Sequence, residues 1–183
     1  MPTAPEPLSA HHRTGGFDCG IAALDDWLKR RAAANQASGA SRTFVVCEKV
    51  AEGAAVVAYY ALASSAVAST GTPGRFRRNM PDPIPVVVLG RLAIATTHRK
   101  RGLGRALFQD AARRVLHAAD AIGIRGLLVP ALSEEAKAFY LRLGFEPSPL
   151  DPMTLMVTLA DLRHAIEAHE LPAGSPPATL PPS

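Results

Sequence analysis

The chain is poor in cysteine: among its 183 residues only Cys19 and Cys47 carry thiols. Two cysteines so far apart form neither a disulfide framework nor a metal knuckle, so no metal site is expected and both read as reduced structural thiols. Long apolar runs are also missing. Although 48% of the residues are hydrophobic, no run reaches the roughly 20 residues of a membrane span. The opening residues Met1 to Pro7 lack a charged stretch followed by an apolar core, so no secretory leader is expected. There is no internal repeat. What remains is a cytoplasmic chain long enough for one sizeable core. Residues 16–170 are expected to form that single domain, behind a flexible stretch 1–15 and ahead of a disordered tail 171–183 with five prolines.

The formal net charge of +4 is modest but unevenly spread. Arg75, Arg77 and Arg78 share one turn-rich stretch, and Arg99, Lys100, Arg101 and Arg105 another. Arg13, Lys29, Arg30, Arg31 and Arg42 lie toward the N-terminus. Basic clusters suit polyanions such as cofactor phosphates or nucleic acid, whereas Lys29 to Arg31, on a helix, read as a solvated face.

Leu24, Trp27, Leu28 and Arg31 recur at helical spacing, predicting an amphipathic helix from Asp18 or Gly20 to about Ser38. Residues 41–48 read as a strand, Glu52-Gly53 as a turn and residues 55–68 as the hairpin partner. Residues 71–83, rich in proline and glycine, read as a loop. A strand from Ile84 to Ala95 precedes a helix over 103–119 whose apolar face holds Leu103, Ala106, Leu107, Ala111, Val115 and Leu116. A buried strand over 124–131 follows. Ser133 then caps a helix that carries Tyr140 and ends at Gly144. A strand over 153–159 and a helix over 160–170 complete the pattern.

Two stretches carry chemistry. Arg99-Lys-Arg-Gly102-Leu-Gly104 lies between the strand ending at Ala95 and the helix opening at Leu103. A basic glycine loop at a helix N-terminus offers outward N–H groups, a favourable dipole and close backbone approach, which together suit a diphosphate-bearing cofactor. The second stretch, Ser133 to Phe145, places the Tyr140 hydroxyl near the far end of that cofactor.

The first stretch resembles the cofactor motif of the GCN5-related N-acetyltransferase (GNAT) superfamily. The second, Ser133-x-x-Ala136-x-x-Phe139-Tyr140-x-x-x-Gly144-Phe145, resembles that superfamily's other motif, with Ser133 where Asn is common. Phe17 to Gly20, Leu24 to Leu28, Ser41 to Cys47, Val88 to Ala93 and Phe145 to Leu155 are more narrowly similar to the GNAT toxins of type II toxin–antitoxin systems. The resemblance implies an α+β fold, with a central mixed, mostly antiparallel twisted sheet flanked by helices and splayed at the acetyl-CoA site. It also implies acetylation of the amino group of aminoacyl-tRNA, a ribbon-helix-helix antitoxin as partner, and a homodimer. Pro130 departs from the family where the strand splays, and it removes a backbone donor.

On this resemblance Tyr140 protonates the leaving thiolate, and Leu92, Ala93 and Ile94 supply backbone N–H groups to the cofactor arm and the developing oxyanion. Arg99, Lys100, Arg101, Gly102, Leu103, Gly104, Arg105 and Ser133 hold the cofactor. Arg75, Arg77, Arg78 and Arg91 are the candidates for holding the tRNA acceptor stem, the alternative being a loop kept soluble by its arginines. Residues 89–97 contain no Asp or Glu to act as general base, and His98 reads as a surface or cofactor-contact residue. Asp18 and Trp27 read as structural, and Asp25 and Asp26 have no assigned role. A small-amine or protein N-terminal acetyltransferase and a non-catalytic acyl-CoA-binding module are the alternatives.

Overall fold

The computed structural model describes residues 1–170, so the proline-rich tail lies outside the described residues. The strands are β1 (Glu6–Pro7), β2 (His12–Arg13), β3 (Arg42–Val50), β4 (Gly53–Val67), β5 (Ile84–Ile94), β6 (Gly126–Pro130), β7 (Glu146–Pro147) and β8 (Thr154–Thr158). The helices are α1 (Ala22–Arg30), α2 (Ala32–Ser38), α3 (Gly74–Arg77), α4 (Leu103–Ala119), α5 (Glu134–Arg142) and α6 (Leu159–Glu170). They form an α+β domain around one eight-stranded sheet of order β1-β3-β4-β5-β6-β8-β7. Pairing is antiparallel except for β5 with β6 and for β2, which runs parallel to the start of β4. Among the described residues no helix is long and apolar enough to cross a membrane.

Neighbouring strand residues face opposite sides of a sheet, so Tyr59 and Tyr60 of β4 show what covers each face. The Tyr59 hydroxyl donates to Leu24 O of α1 at 2.7 Å, and its ring packs on Trp27 and Phe17. The Tyr60 hydroxyl donates to Asp110 of α4, which also accepts from Arg114 Nε at 2.9 Å. α4 buries Leu107, Phe108, Ala111, Ala112 and Val115. Its apolar face is therefore turned slightly from the expected one, with Phe108 inside and Ala106 outside.

Three sequence expectations are corrected. The stretch 1–15 is built into the sheet: Leu8 is buried, Thr3 N–H donates to Cys47 O at 2.8 Å, and β1 and β2 pair with β3 and β4. Gln36 accounts for much of this, since its amide donates to Leu8 O at 2.5 Å and accepts from Thr43 N–H at 2.7 Å. The first helix is broken at Arg31, where φ −118° and ψ −33° separate α1 from α2. The proline-rich loop contains α3, whose Phe76 plugs a small second core with Ile84, Val86 and Met156.

One feature of the sheet positions the site. β5 and β6 pair only where Val86, Val87 and Val88 face Gly126, Leu127 and Leu128. Beyond that point they part, leaving the C-terminal half of β5 with one open edge. Two local causes act there. A β-bulge at Gly90, where the register with β4 slips between Ala61 and Leu62, bends β5. Pro130 has no N–H to offer across the gap. Its neighbour Ala131 donates to Met153 O at 2.8 Å, so by the antiparallel alternation the Pro130 nitrogen faces away from β8 and costs that ladder nothing.

Candidate active site

The parted strands open a cleft of roughly 380 Å³, walled by Leu92, Ala93 and Ile94 of β5, by Ser133, Ala136, Phe139, Tyr140 and Arg142, and by Cys19, Ile21 and Leu24. A hollow of about 90 Å³ lies against it, between Leu89 to Leu92, Val129 to Ser133 and Tyr140. The cleft thus runs from the Arg99–Gly104 turn to the point where β5 and β6 meet.

At the outer end, Lys100 and Gly102 both take left-handed backbone (φ 60° and 78°), and Gly102 caps α4 without a side-chain bond. A non-glycine residue in this conformation is uncommon and costs energy that the surrounding structure must offset. The first-turn N–H groups of α4 have no helical acceptors, so the turn presents orphan donors at the positive end of a 17-residue helix. Lys100, Arg101 and Arg105 are exposed around it, while Arg99 reaches across the cleft and donates to Cys19 O.

That last contact shows a wall that motif spacing left unassigned. Thr96 N–H donates to Asp18 O at 2.9 Å. Asp18 Oδ1 accepts from Gly20 N–H at 2.8 Å, and Asp25 Oδ1 accepts from Cys19 N–H at 2.9 Å. The Asp18 and Asp25 side chains therefore fix the local fold of the segment before α1, while Thr96 N–H and Arg99 tie that segment to the Arg99–Gly104 turn. Glycine at position 20, with φ 83°, lets the chain turn there beside Arg99. Burial, aided by Asp25, pushes the Cys19 thiol up to about 11, so it stays neutral.

At the inner end, Ser133 Oγ accepts from Ala136 N–H at 3.1 Å and so caps α5, as its sequence position predicts. Tyr140 lies two helical turns on, 5% exposed, with its ring against Phe108, Phe139 and Phe145. Its hydroxyl has no hydrogen-bond partner among the described residues, and burial alone raises its pKa well above the ordinary tyrosine value. The Gly90 bulge also belongs to this end. A lone glycine inside an apolar strand is the signal that marks it.

Glu135, on the first turn of α5, is the carboxylate that lines the cleft, and it is exposed at the mouth. His98 is turned away: Nε2 lies 3.0 Å from Glu48 Oε1 and Nδ1 meets Thr97 Oγ1 at 2.8 Å. That contact holds the Glu48 carboxyl below its usual range.

Of the four arginines assigned to a nucleic-acid substrate, the structure brings only Arg91 to the cleft. Arg75 is ion-paired with Asp161 at 2.7 Å, and Arg77 donates to Thr72 O at 3.3 Å. With the exposed Arg78 they belong to the segment before Ile84, at the opposite end of β5 from Leu92. At about 3.3 Å per residue that is on the order of 25 Å along the strand.

The comparisons agree with this geometry. The model of the acetyltransferase (GNAT) domain family matches residues 40–147. The chain is 48% identical over 164 residues to a tRNA-acetylating toxin of Mycobacterium tuberculosis, covering 90% of this chain and 96% of that protein. It also matches a solved structure of AtaT complexed with acetyl-methionyl-tRNAfMet, with TM-score 0.81 and 31% identity over 90% of this chain and 98% of that one. A mutant AtaT toxin bound to the C-terminus of the antitoxin AtaR and acetyl-CoA matches with TM-score 0.75 and 31% identity, over 89% and 96% of the two chains.

Proposed function

The chain belongs to the GNAT acetyltransferase family, and we propose that it is a toxin that acetylates the amino group of an aminoacyl-tRNA and so blocks translation. The observation that carries this reading is the parted cleft ending at a buried Tyr140 hydroxyl with no protein acceptor among the described residues. Likeness to a tRNA-acetylating toxin and to AtaT with its acetylated tRNA supports the substrate. Likeness to a toxin bound to its antitoxin supports an antitoxin partner. We assign that partner to the ribbon-helix-helix class and the working form to a cytoplasmic homodimer.

Acetyl-CoA, when bound, supplies an acetyl group activated as a thioester. The residues present fit it: the orphan N–H groups at the start of α4 and the surrounding Arg99, Lys100, Arg101 and Arg105 suit its phosphates, and the open edge of β5 at Leu92 to Ile94 suits its amide-bearing arm. Acetyl transfer forms a C–N bond, breaks a C–S bond, removes a proton from the amine and returns one to the sulfur. Tyr140 Oη keeps its proton in an apolar setting and has no internal acceptor, so it is the group that returns it. Backbone N–H groups of the bulged β5 segment are the donors to the developing oxyanion. No carboxylate lines the inner hollow. A lysine amine, pKa about 10.4, would need a base there. The amine of an aminoacyl ester is less basic than an ordinary α-amino group of about 7.7–8, so much of it is already neutral.

The test is transfer of labelled acetyl from acetyl-CoA to a pool of charged tRNAs, wild type beside Tyr140→Phe. Label on the amino acid in the wild type alone supports the reading, and absence of label despite acetyl-CoA binding overturns it. The pH profile follows from the same groups. Tyr140 and Cys19 both titrate above their usual ranges, so neither loses its proton below about pH 10. Initial rates should rise with deprotonation of the substrate amine and then stay level to at least about pH 9. A falling limb between about pH 7.5 and 9 would contradict the assignment of the proton donor to Tyr140.

A further inference from the structure

The sequence leaves His98 as a surface or cofactor-contact residue, and in the structure it is neither. It is 8% exposed and is absent from the walls of the cleft. It closes the short helical turn Thr96–His98, and Arg99 to Gly102 follow directly. Its Nε2 lies 3.0 Å from Glu48 Oε1, close but without a straight hydrogen bond. Its Nδ1 meets the Thr97 hydroxyl at 2.8 Å, and its backbone N–H donates to Ala95 O at 2.9 Å. Glu48 stands on β3 opposite Ala55 of β4, so the contact reaches a strand that does not pair with β5.

A carboxylate near an anion-binding turn repels the phosphates that the turn is to hold. Glu48 is nonetheless kept ionised. The His98 contact, and then the charges of the N-terminus and Arg101, hold it below the usual carboxylate range. Such a residue needs an offsetting role, and the mounting of the turn supplies one. On one side Thr96 N–H donates to Asp18 O and Arg99 donates to Cys19 O, so both contacts reach the segment before α1. On the other side His98 meets Glu48 of β3. Between these mounts Lys100 is held at φ 60° and Gly102 at φ 78°. A non-glycine residue keeps that conformation only while its surroundings enforce it. With the β3 side released the turn relaxes, and binding must then order its N–H groups, which lowers affinity. We propose that His98, held by Glu48, is a positioning residue for the diphosphate of acetyl-CoA, fixing the Arg99–Gly104 turn without touching the cofactor. The proposal rests on acetyl-CoA as the cofactor and not on the identity of the acceptor.

The experiment measures acetyl-CoA affinity by calorimetry, without acceptor, for the wild type, His98→Ala, His98→Gln, Glu48→Ala and the His98→Ala/Glu48→Ala double variant. Glu167→Ala, which removes an exposed carboxylate of α6, serves as control. Each single alanine variant should raise Kd about 10-fold, and the double variant by about the same factor, because the two residues act as one contact. His98→Gln keeps an N–H for the carboxylate and should hold the rise to about threefold. With charged tRNA as acceptor, kcat at saturating acetyl-CoA should stay within about twofold of wild type, which general damage to the fold would not allow. S-Acetylpantetheine, which has no diphosphate, should be used with unchanged kcat/KM. Kd within about twofold of wild type in both single variants would overturn the proposal. So would tighter binding by Glu48→Ala, since the carboxylate would then only repel phosphate. Multiplied effects in the double variant would separate the two residues, and an equal loss with S-acetylpantetheine would move the effect off the diphosphate; either result overturns the proposal. A wild type that binds acetyl-CoA and acetylates no charged tRNA would overturn the substrate reading alone, because the affinities are measured without an acceptor.

Discussion

Tyr140→Phe is expected to lower kcat about 100-fold or more while acetyl-CoA affinity stays within about twofold. The reason is the isolation of one oxygen. The ring is held by Phe108, Phe139 and Phe145, all of which phenylalanine would still meet. The hydroxyl makes no hydrogen bond within the described protein, so its removal orphans no donor or acceptor. Melting temperature should therefore stay level or rise slightly. Burial keeps the phenol protonated, as a proton donor to a leaving thiolate must be, and the other donors that line the inner hollow are Arg91, the Ser133 hydroxyl that caps α5, and backbone N–H groups. Single-turnover acetylation with saturating acetyl-CoA is the direct measurement. Retention of more than about a third of the wild-type rate would remove Tyr140 from the proton transfer.

Gly126→Ala is expected to be the most damaging conservative change for stability. Gly126 is fully enclosed in β6, paired with Val86 on one side and Thr158 on the other. A methyl group there would overlap the Val157 carbonyl oxygen and lie 2.8 Å from Phe76 Cε2. The first obstacle is backbone and cannot rotate aside, and the second is the plug of the smaller core. Relief requires β8 or α3 to move away from β6. The expected loss is about 3 kcal/mol or more, a fall in Tm of roughly 6–12 °C for a domain of this size. The damage should reach the site as well, because Gly126 begins the short stretch, Gly126 to Leu128, that alone pairs β6 with β5 up to the point where the cleft opens. Thermal unfolding and acetyl-CoA titration of the purified variant measure both effects. A Tm within about 2 °C of wild type would show that the sheet accommodates the methyl group.

Much of this was legible without coordinates where the information is local. The strand–turn–helix around Arg99 to Gly104, the Ser133 cap and the Tyr140 helix follow from spacing and capping within a dozen residues, and they stand where expected. The stretch 1–15 was misread because its order comes from partners far along the chain: Leu8 is tied to Gln36 and Thr43, and Thr3 to Cys47. The ion pair of Arg75 is invisible in the sequence for the same reason, since its partner Asp161 lies 86 residues away. Asp25 had no assigned role because it accepts from Cys19 N–H in a segment held by Arg99, which arrives much later in sequence.

The sequence by itself determined most of the element order, the strand–turn–helix around Arg99 to Gly104 and the Ser133-capped helix that carries Tyr140. These depend on dihedral preferences, side-chain periodicity and capping bonds over short separations. Only the tertiary structure decided that β5 and β6 part after Val88, that the segment before α1 walls the cleft, and that His98 meets Glu48 of β3. Strand register and the meeting of a turn with a strand it does not adjoin in sequence are long-range matters. They are set by which surfaces bury each other, and periodicity within a single segment does not report that.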